Sequence, residues 1–297
     1  MKSEENKKVE STSEQKEKEE KKEENSKQQQ NKNLDYYDEH GKPRYEDIIN
    51  YENEIRKEIE QTTPLVSDLK PTSDLQKEFE NSEYSESIKT IINKYEKIRL
   101  IRRDGNCFYR AFLYRLFEEI SLSKNENLYK NIKKIIETTK DLTGRNGYDW
   151  IVIEDFYNEF NQEFELAFSI DINNSREFID KLFADKEKGN YLIVFVRLYI
   201  AAYLKENRIL YESFIFDEAF DNWIQREVEA IDNECDQIQI MGIVNAFNVC
   251  VRIETLTPKS VDTMKFPEDS NMDILFSVLF RPGHYDILYP KKNWLLY

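Results

Sequence analysis

Hydrophobic positions along this chain recur at helical spacing through most of its length and at strand spacing only towards its end. Over residues 45–61, Ile48, Ile49, Tyr51, Ile55 and Ile59 fall mostly on one stripe among Glu, Lys and Arg, which predicts an amphipathic helix closed by Thr62-Thr63-Pro64. Pro64 and Pro71 mark a connecting loop. Ile88, Ile91, Ile92, Tyr95 and Ile98 predict a second helix over 84–98, and Phe108, Ala111, Phe112, Phe117 and Ile120 a third that begins at Cys107. Helical patterns continue over 124–140, 149–168, 175–184, 190–207, 217–233 and 239–247. Residues 191–203 are apolar nearly all round, interrupted by Arg197, which predicts a helix through the core. The period then changes. Val249, Val251 and Ile253 alternate with Cys250 and Arg252, and 274–280 and 285–289 are further short apolar runs, so three strands are expected. A helical body followed by a small C-terminal, mostly antiparallel sheet reads as an α+β fold, one domain over 35–297.

Residues 1–34 stand apart. Met1 and Val9 are the only apolar residues before Asn33, and nine Lys cancel nine Glu. Such a segment buries too little apolar surface to offset its ordering entropy and is expected to be a disordered tail. The net charge of −15 therefore belongs to the rest of the chain. Acidity of that size, with no basic run interleaved with aromatics, argues against nucleic acid and suits a soluble domain, expected to be a monomer, that meets protein partners. The N-terminus lacks an apolar stretch of the secretory kind, and no run is long enough for a bilayer, so no membrane association is expected. Cys107, Cys235 and Cys250 are odd in number and lack CxxC spacing, as for reduced thiols in the cytoplasm or nucleus. Two histidines without paired ligands leave no basis for a metal site, and no cofactor motif is present.

Asp104-Gly105-Asn106-Cys107 places a thiol where a helix starts. Gly105 permits a positive φ, Asn106 is a favoured N-cap, and the thiol then meets unpaired N–H groups and the positive helix end, which should lower its pKa. Backbone amides of Asp104, Gly105 and Cys107 are candidate oxyanion donors. The candidate bases are His40 and His284, and His284 stands two residues before Asp286 in a strand-like segment, so both side chains share one face. Cys107 as nucleophile, His284 as base then acid and Asp286 as the group that orients it make a cysteine-hydrolase set. Spacing alone leaves the plainer alternative open: a small buried cysteine and a loop histidine.

Residues 104–112 (DGNCFYRAF) and 281–289 (RPGHYDILY) resemble the nucleophile and histidine motifs of the otubains, the ovarian-tumour-type deubiquitinases. Pro64-Leu65-Val66-Ser67, Ile153-Glu154-Asp155-Phe156 and Tyr191-Leu192-Ile193-Val194 resemble other otubain segments, so the likeness spans about residues 45–290. It implies a papain-like core and a thiol isopeptidase that cleaves after the C-terminal glycine of ubiquitin in polyubiquitin, favouring the proteasome-targeting linkage. Asp104 matches the family's active-site aspartate and is expected to shape the loop and oxyanion region. Arg103 departs from the smaller or proline residue expected there. The helix over 45–61 occupies the place where otubains contact proximal ubiquitin. The resemblance also implies a rival activity, capture of ubiquitin-charged conjugating enzyme without cleavage, and a third reading is a protease for another ubiquitin-like modifier.

Overall fold

The computed structural model describes residues 45–268 and 271–291; the expected tail over 1–34 and His40 lie outside them. Of the described residues, those up to Ile59 fall in one unit and those from Glu60 in a second. In chain order the helices are α1 (Tyr45–Thr62), α2 (Asp74–Glu78), α3 (Ser85–Lys94), α4 (Cys107–Glu118), α5 (Glu126–Arg145), α6 (Trp150–Ser169), α7 (Ile172–Ala184), α8 (Lys186–Glu206), α9 (Arg208–Tyr211), α10 (Phe220–Trp223) and α11 (Gln237–Ala246). The strands are β1 (Lys70–Pro71), β2 (Tyr95–Arg99), β3 (Cys250–Leu256), β4 (Val261–Phe266), β5 (Ile274–Arg281) and β6 (His284–Pro290), ordered β1-β2-β6-β5-β3-β4 in one sheet. Only β3 and β5 run parallel. The α+β architecture and the mostly antiparallel C-terminal sheet follow the expectation.

Helix α4 sits between the sheet and the helices. Every residue of it except Arg115 is buried, so it is clothed on all sides. Phe108 and Phe112 meet Phe276 of β5 and, for Phe108, Tyr285 of β6. Further along, Phe117 meets Phe160, Phe164 and Phe183 of α6 and α7 edge-on. These rings, with the inner residues of α8, join the main core. The opposite face of the sheet carries a smaller core in which Leu279, Leu288 and Leu256 pack with Leu75, Ile88 and Ile91 of α2 and α3. Cys107, the first residue of α4, therefore sits at a buried helix end.

Three expectations needed correction. Six strands form where three were expected, and two of the additions, β1 and β2, join the sheet from ahead of the helical body. The helix expected over 84–98 stops at Lys94, and Tyr95 to Arg99 form strand β2. Tyr95 and Ile98 share a buried side although they are three apart, because the register of β2 against β6 shifts between Tyr95 and Lys97. A β-bulge thus mimics the i, i+3 period of a helix. Tyr95 is drawn into the sheet by its hydroxyl, which donates to the buried carboxylate of Glu254 at 2.6 Å. In addition, 217–233 is not one helix: α10 passes into a wider π turn over Ile224–Glu229, after which an irregular segment reaches α11.

Candidate active site

The nucleophile loop is built by close backbone contact. Gly105 has φ +76°, and a Cβ there would lie 1.8 Å from the carbonyl oxygen of Asp232, so no other residue fits. The Asp104 carboxylate accepts the Asn106 N–H at 3.1 Å and a two-pronged pair from Arg110 at 2.8 and 2.7 Å. Arg110 lies one turn into α4, so Asp104 ties the loop to the helix that follows it. The Asn106 amide is thereby taken up within the loop, and those of Asp104, Gly105 and Cys107 remain the candidates for an oxyanion. Asp104 thus holds both the Asn106 amide and the Arg110 guanidinium. Asn106 does not cap the helix as expected. Its side chain instead bridges to Asp232, with Nδ2 donating to Oδ1 at 2.7 Å and Oδ1 accepting the Asp232 N–H at 3.2 Å. Arg103 is exposed and stands outside this network.

Strand β6 supplies the other half. Pro282 and Gly283 turn the chain between β5 and β6, with Arg281 opposite His284. Gly283 has φ +69°, and a Cβ there would come within 2.9 Å of the Glu234 carboxylate. His284 and Asp286 project from one side of β6, while Tyr285 and Ile287 join the main core from the other. His284 Nε2 lies 2.9 Å from Asp286 Oδ1. Asp286 also accepts the Ile101 N–H at 2.9 Å and pairs with Arg281, whose other terminal nitrogen donates to Glu78 at 3.1 Å. Burial alone would raise the Asp286 pKa, but His284, Arg281 and the Ile101 amide outweigh it and hold the carboxyl below its usual value. An ionised Asp286 accepts a hydrogen bond from Nε2–H, so the unprotonated ring nitrogen is Nδ1. That Nδ1 is buried and makes no hydrogen bond.

Cys107 contradicts one expectation. Its thiol pKa is pushed up to about 11, not down, because burial outweighs the Tyr285 backbone amide and the Arg110 charge that favour the thiolate, while Asp104 and Asp286 add to the rise. At neutral pH this cysteine rests as a thiol. Cys107, Gly283 and Tyr285 line a cleft of about 450 Å³ together with Glu234, Cys235 and Asp236. All three cysteines are unpaired, and no group of candidate metal ligands occurs among the described residues. None of the described helices is long and apolar enough to cross a membrane. Sequence reasoning missed Arg281 as the counter-charge of Asp286, Asp232 as the neighbour of Gly105, and the acidic wall at Glu234. Of these, only Arg281 had a signal, its place within the histidine motif.

The family model described as Peptidase C65 Otubain matches residues 58–290. Ubiquitin thioesterase OTUB1 of Homo sapiens is 33% identical over 250 residues, covering 82% of this chain and 90% of that protein. The otubain-like ubiquitin thioesterase of Caenorhabditis elegans is 31% identical, over 79% of this chain and 84% of its own. Among solved structures, h/ceOTUB1 with ubiquitin aldehyde and UBC13~Ub superimposes with a TM-score of 0.74 at 30% identity, covering 83% of this chain and 98% of that one. A similar complex with UBCH5B~Ub gives 0.73. This chain belongs to the otubain family of cysteine peptidases.

Proposed function

We propose that the protein is a thiol-dependent deubiquitinase that hydrolyses the isopeptide bond after the C-terminal glycine of ubiquitin in polyubiquitin, with Cys107, His284 and Asp286 as its catalytic residues. The observation that carries this reading is the buried, unpartnered Nδ1 of a histidine whose Nε2 is held by an ionised carboxylate, on the strand whose next amide reaches the Cys107 thiol. Nδ1 takes the thiol proton as sulfur attacks the glycine carbonyl. The carbonyl oxygen becomes an oxyanion facing the candidate amides of Asp104, Gly105 and Cys107. The tetrahedral intermediate collapses as His284 returns the proton to the departing lysine amine, leaving a thioester on Cys107. Water, deprotonated by Nδ1, then releases ubiquitin and restores the thiol. Asp286 keeps the imidazole in one tautomer and stabilises its charged form throughout.

The cleft that Cys107 and Gly283 line suits an extended, glycine-ended tail, since Gly283 presents backbone with no side chain there. Phe214 and Ile215 line its mouth, and Ile209, Leu210 and Phe216 stand exposed beside them in sequence, an apolar surface suited to the body of a distal ubiquitin. We assign the proximal ubiquitin to α1 and a preference to the proteasome-targeting linkage. The reduced cysteines support a place in the cytoplasm or nucleus. A second reading, capture of ubiquitin-charged conjugating enzyme, is favoured by the two similar structures that hold such conjugates.

A ubiquitin probe with an electrophilic C-terminus and a panel of diubiquitins test this directly. Labelling should occur in wild type and in Cys235→Ala and Cys250→Ala, and disappear in Cys107→Ala. If wild type neither labels nor cleaves any linkage, the enzyme reading fails. Inhibition of ubiquitin transfer by the same protein would then support the capture reading.

A further inference from the structure

Among the described residues Arg197 is the largest fully buried side chain, on a helix whose other buried residues are uncharged and mostly apolar. Among the described residues no carboxylate pairs with it. Its guanidinium is spent on neutral oxygens: Nη1 donates to Val228 O at 3.1 Å, and Nη2 to Asn106 Oδ1 at 2.8 Å, to Asn233 O at 2.7 Å and, at 3.4 Å, to Gly105 O. Its plane lies 4.1 Å from the centre of the Tyr109 ring, two residues into α4. Burying a charge without an opposite charge is costly, and core packing alone would be served better by an apolar residue. The placement of these acceptors supplies a reason. Gly105 and Asn106 form the turn before the nucleophile. Val228 and Asn233 belong to the segment that leads into the cleft wall at Glu234–Asp236. One guanidinium therefore grips both sides of the cleft from beneath, and the Asn106–Asp232 pair closes the same clamp above it.

We infer that Arg197 is a positioning residue for the thiol reaction: it fixes the Gly105–Cys107 turn against the 228–233 segment, and so aims the Cys107 thiol and the oxyanion amides at a carbonyl lying in the cleft. The inference rests on Cys107 being the nucleophile. The guanidinium also places a fixed positive charge beneath the turn where negative charge develops on sulfur and then on oxygen, without itself touching either. A lysine retains the charge but cannot span four acceptors with a planar fork.

The test uses the full chain and two readouts: hydrolysis of a ubiquitin C-terminal fluorogenic amide, and the pH dependence of Cys107 alkylation by iodoacetamide. Arg197→Gln should lower kcat by about 100-fold with KM nearly unchanged, the scale of loss expected from a misaimed reacting pair. Arg197→Lys should recover part of that loss. The midpoint of Cys107 alkylation should move to higher pH in Arg197→Gln and stay near the wild-type value in Arg197→Lys. Ile179→Val, a buried change in α7 remote from the clamp, serves as the control for lost stability. Asp232→Gly and Asn106→Ala loosen the clamp from the loop side with Arg197 itself kept, and should lower kcat in the same KM-neutral way. The idea is overturned if a folded Arg197→Gln loses no more kcat than Ile179→Val with an unmoved alkylation profile. It is equally overturned if Asp232→Gly and Asn106→Ala both keep wild-type kcat. Should wild type fail to turn over the ubiquitin amide, it is the substrate assignment that falls, and the alkylation profiles still judge the clamp.

Discussion

The two halves of the site are prepared to different degrees. On β6, the proposed base and orienter are already joined: Asp286 receives His284, Arg281 and the Ile101 amide, and its pKa is held below the usual carboxylate value. On α4 the proposed nucleophile, Cys107, is packed and shielded, with a pKa pushed up to about 11, so it stays protonated at neutral pH. Folding thus completes the orientation of the histidine, while ionisation of the sulfur is deferred to the reaction, when its proton can pass to Nδ1. The contrast locates the energetic barrier of the resting enzyme at the thiol. It also explains why helix-end electrostatics misjudges this cysteine: Cys107 is 2% exposed, and burial costs the thiolate more than the Tyr285 amide and the Arg110 charge return.

Removing each half should separate their roles. Cys107→Ala is expected to abolish turnover, a loss on the order of 10⁶ in kcat, because no other nucleophile can form the thioester. Asp286→Asn leaves nucleophile and base present but removes the ionised acceptor of Nε2, and kcat should fall by about 10⁴. A fall as complete as that of Cys107→Ala would mean that Asp286 does more than orient. Arg281→Met attacks the support of the same carboxylate. It should raise the Asp286 pKa from its depressed value and cost about tenfold in kcat, with a loss of stability. The sign follows from the cation: because Arg281 favours the ionised form, the stability it contributes is present above the usual carboxylate pKa and fades as pH falls through the depressed one. Acid unfolding followed by circular dichroism should therefore begin at higher pH in Arg281→Met.

The thiol half can be read without substrate. Iodoacetamide should modify Cys107 slowly at pH 7 and faster with rising pH up to a midpoint of about 11. A midpoint near or below 7 would show that the helix end prevails and erase the contrast. The smallest effect is expected from deleting residues 45–61: chain cleavage should weaken by several-fold while probe labelling is kept, if α1 holds the proximal ubiquitin. Equal losses in both assays would count against that role.

Much of this was readable before any coordinates. The periodicity of the middle helices, the change to strand period at Val249 and the His284–Asp286 spacing all follow from which side of an element a residue must face. Tyr95 and Ile98 misled because a bulge in a strand reproduces helical spacing, and nothing local separates the two until β6 is present as a partner. β4 was missed for a related reason. Its residues are exposed or half-buried, so Val261–Phe266 shows little alternation of its own and is ordered by pairing with β3. Asn106 misled differently: a good capping side chain met stronger partners, Arg197 and Asp232, from segments distant in sequence. Arg197 itself had a visible sign, a cation in the middle of an apolar run, although its acceptors were not legible.

The hairpin that carries the base has a further consequence. Its register places Arg281 across from His284, and the side-chain period of two then sends His284 and Asp286 out together. A slip of β6 by a single residue would carry both to the opposite face of the sheet and present Tyr285 and Ile287 in their place. Base and orienter are thus not two independently losable parts but one digit of strand register. Errors in this half of the site are all-or-nothing, and no drift through partly aligned intermediates is open to it.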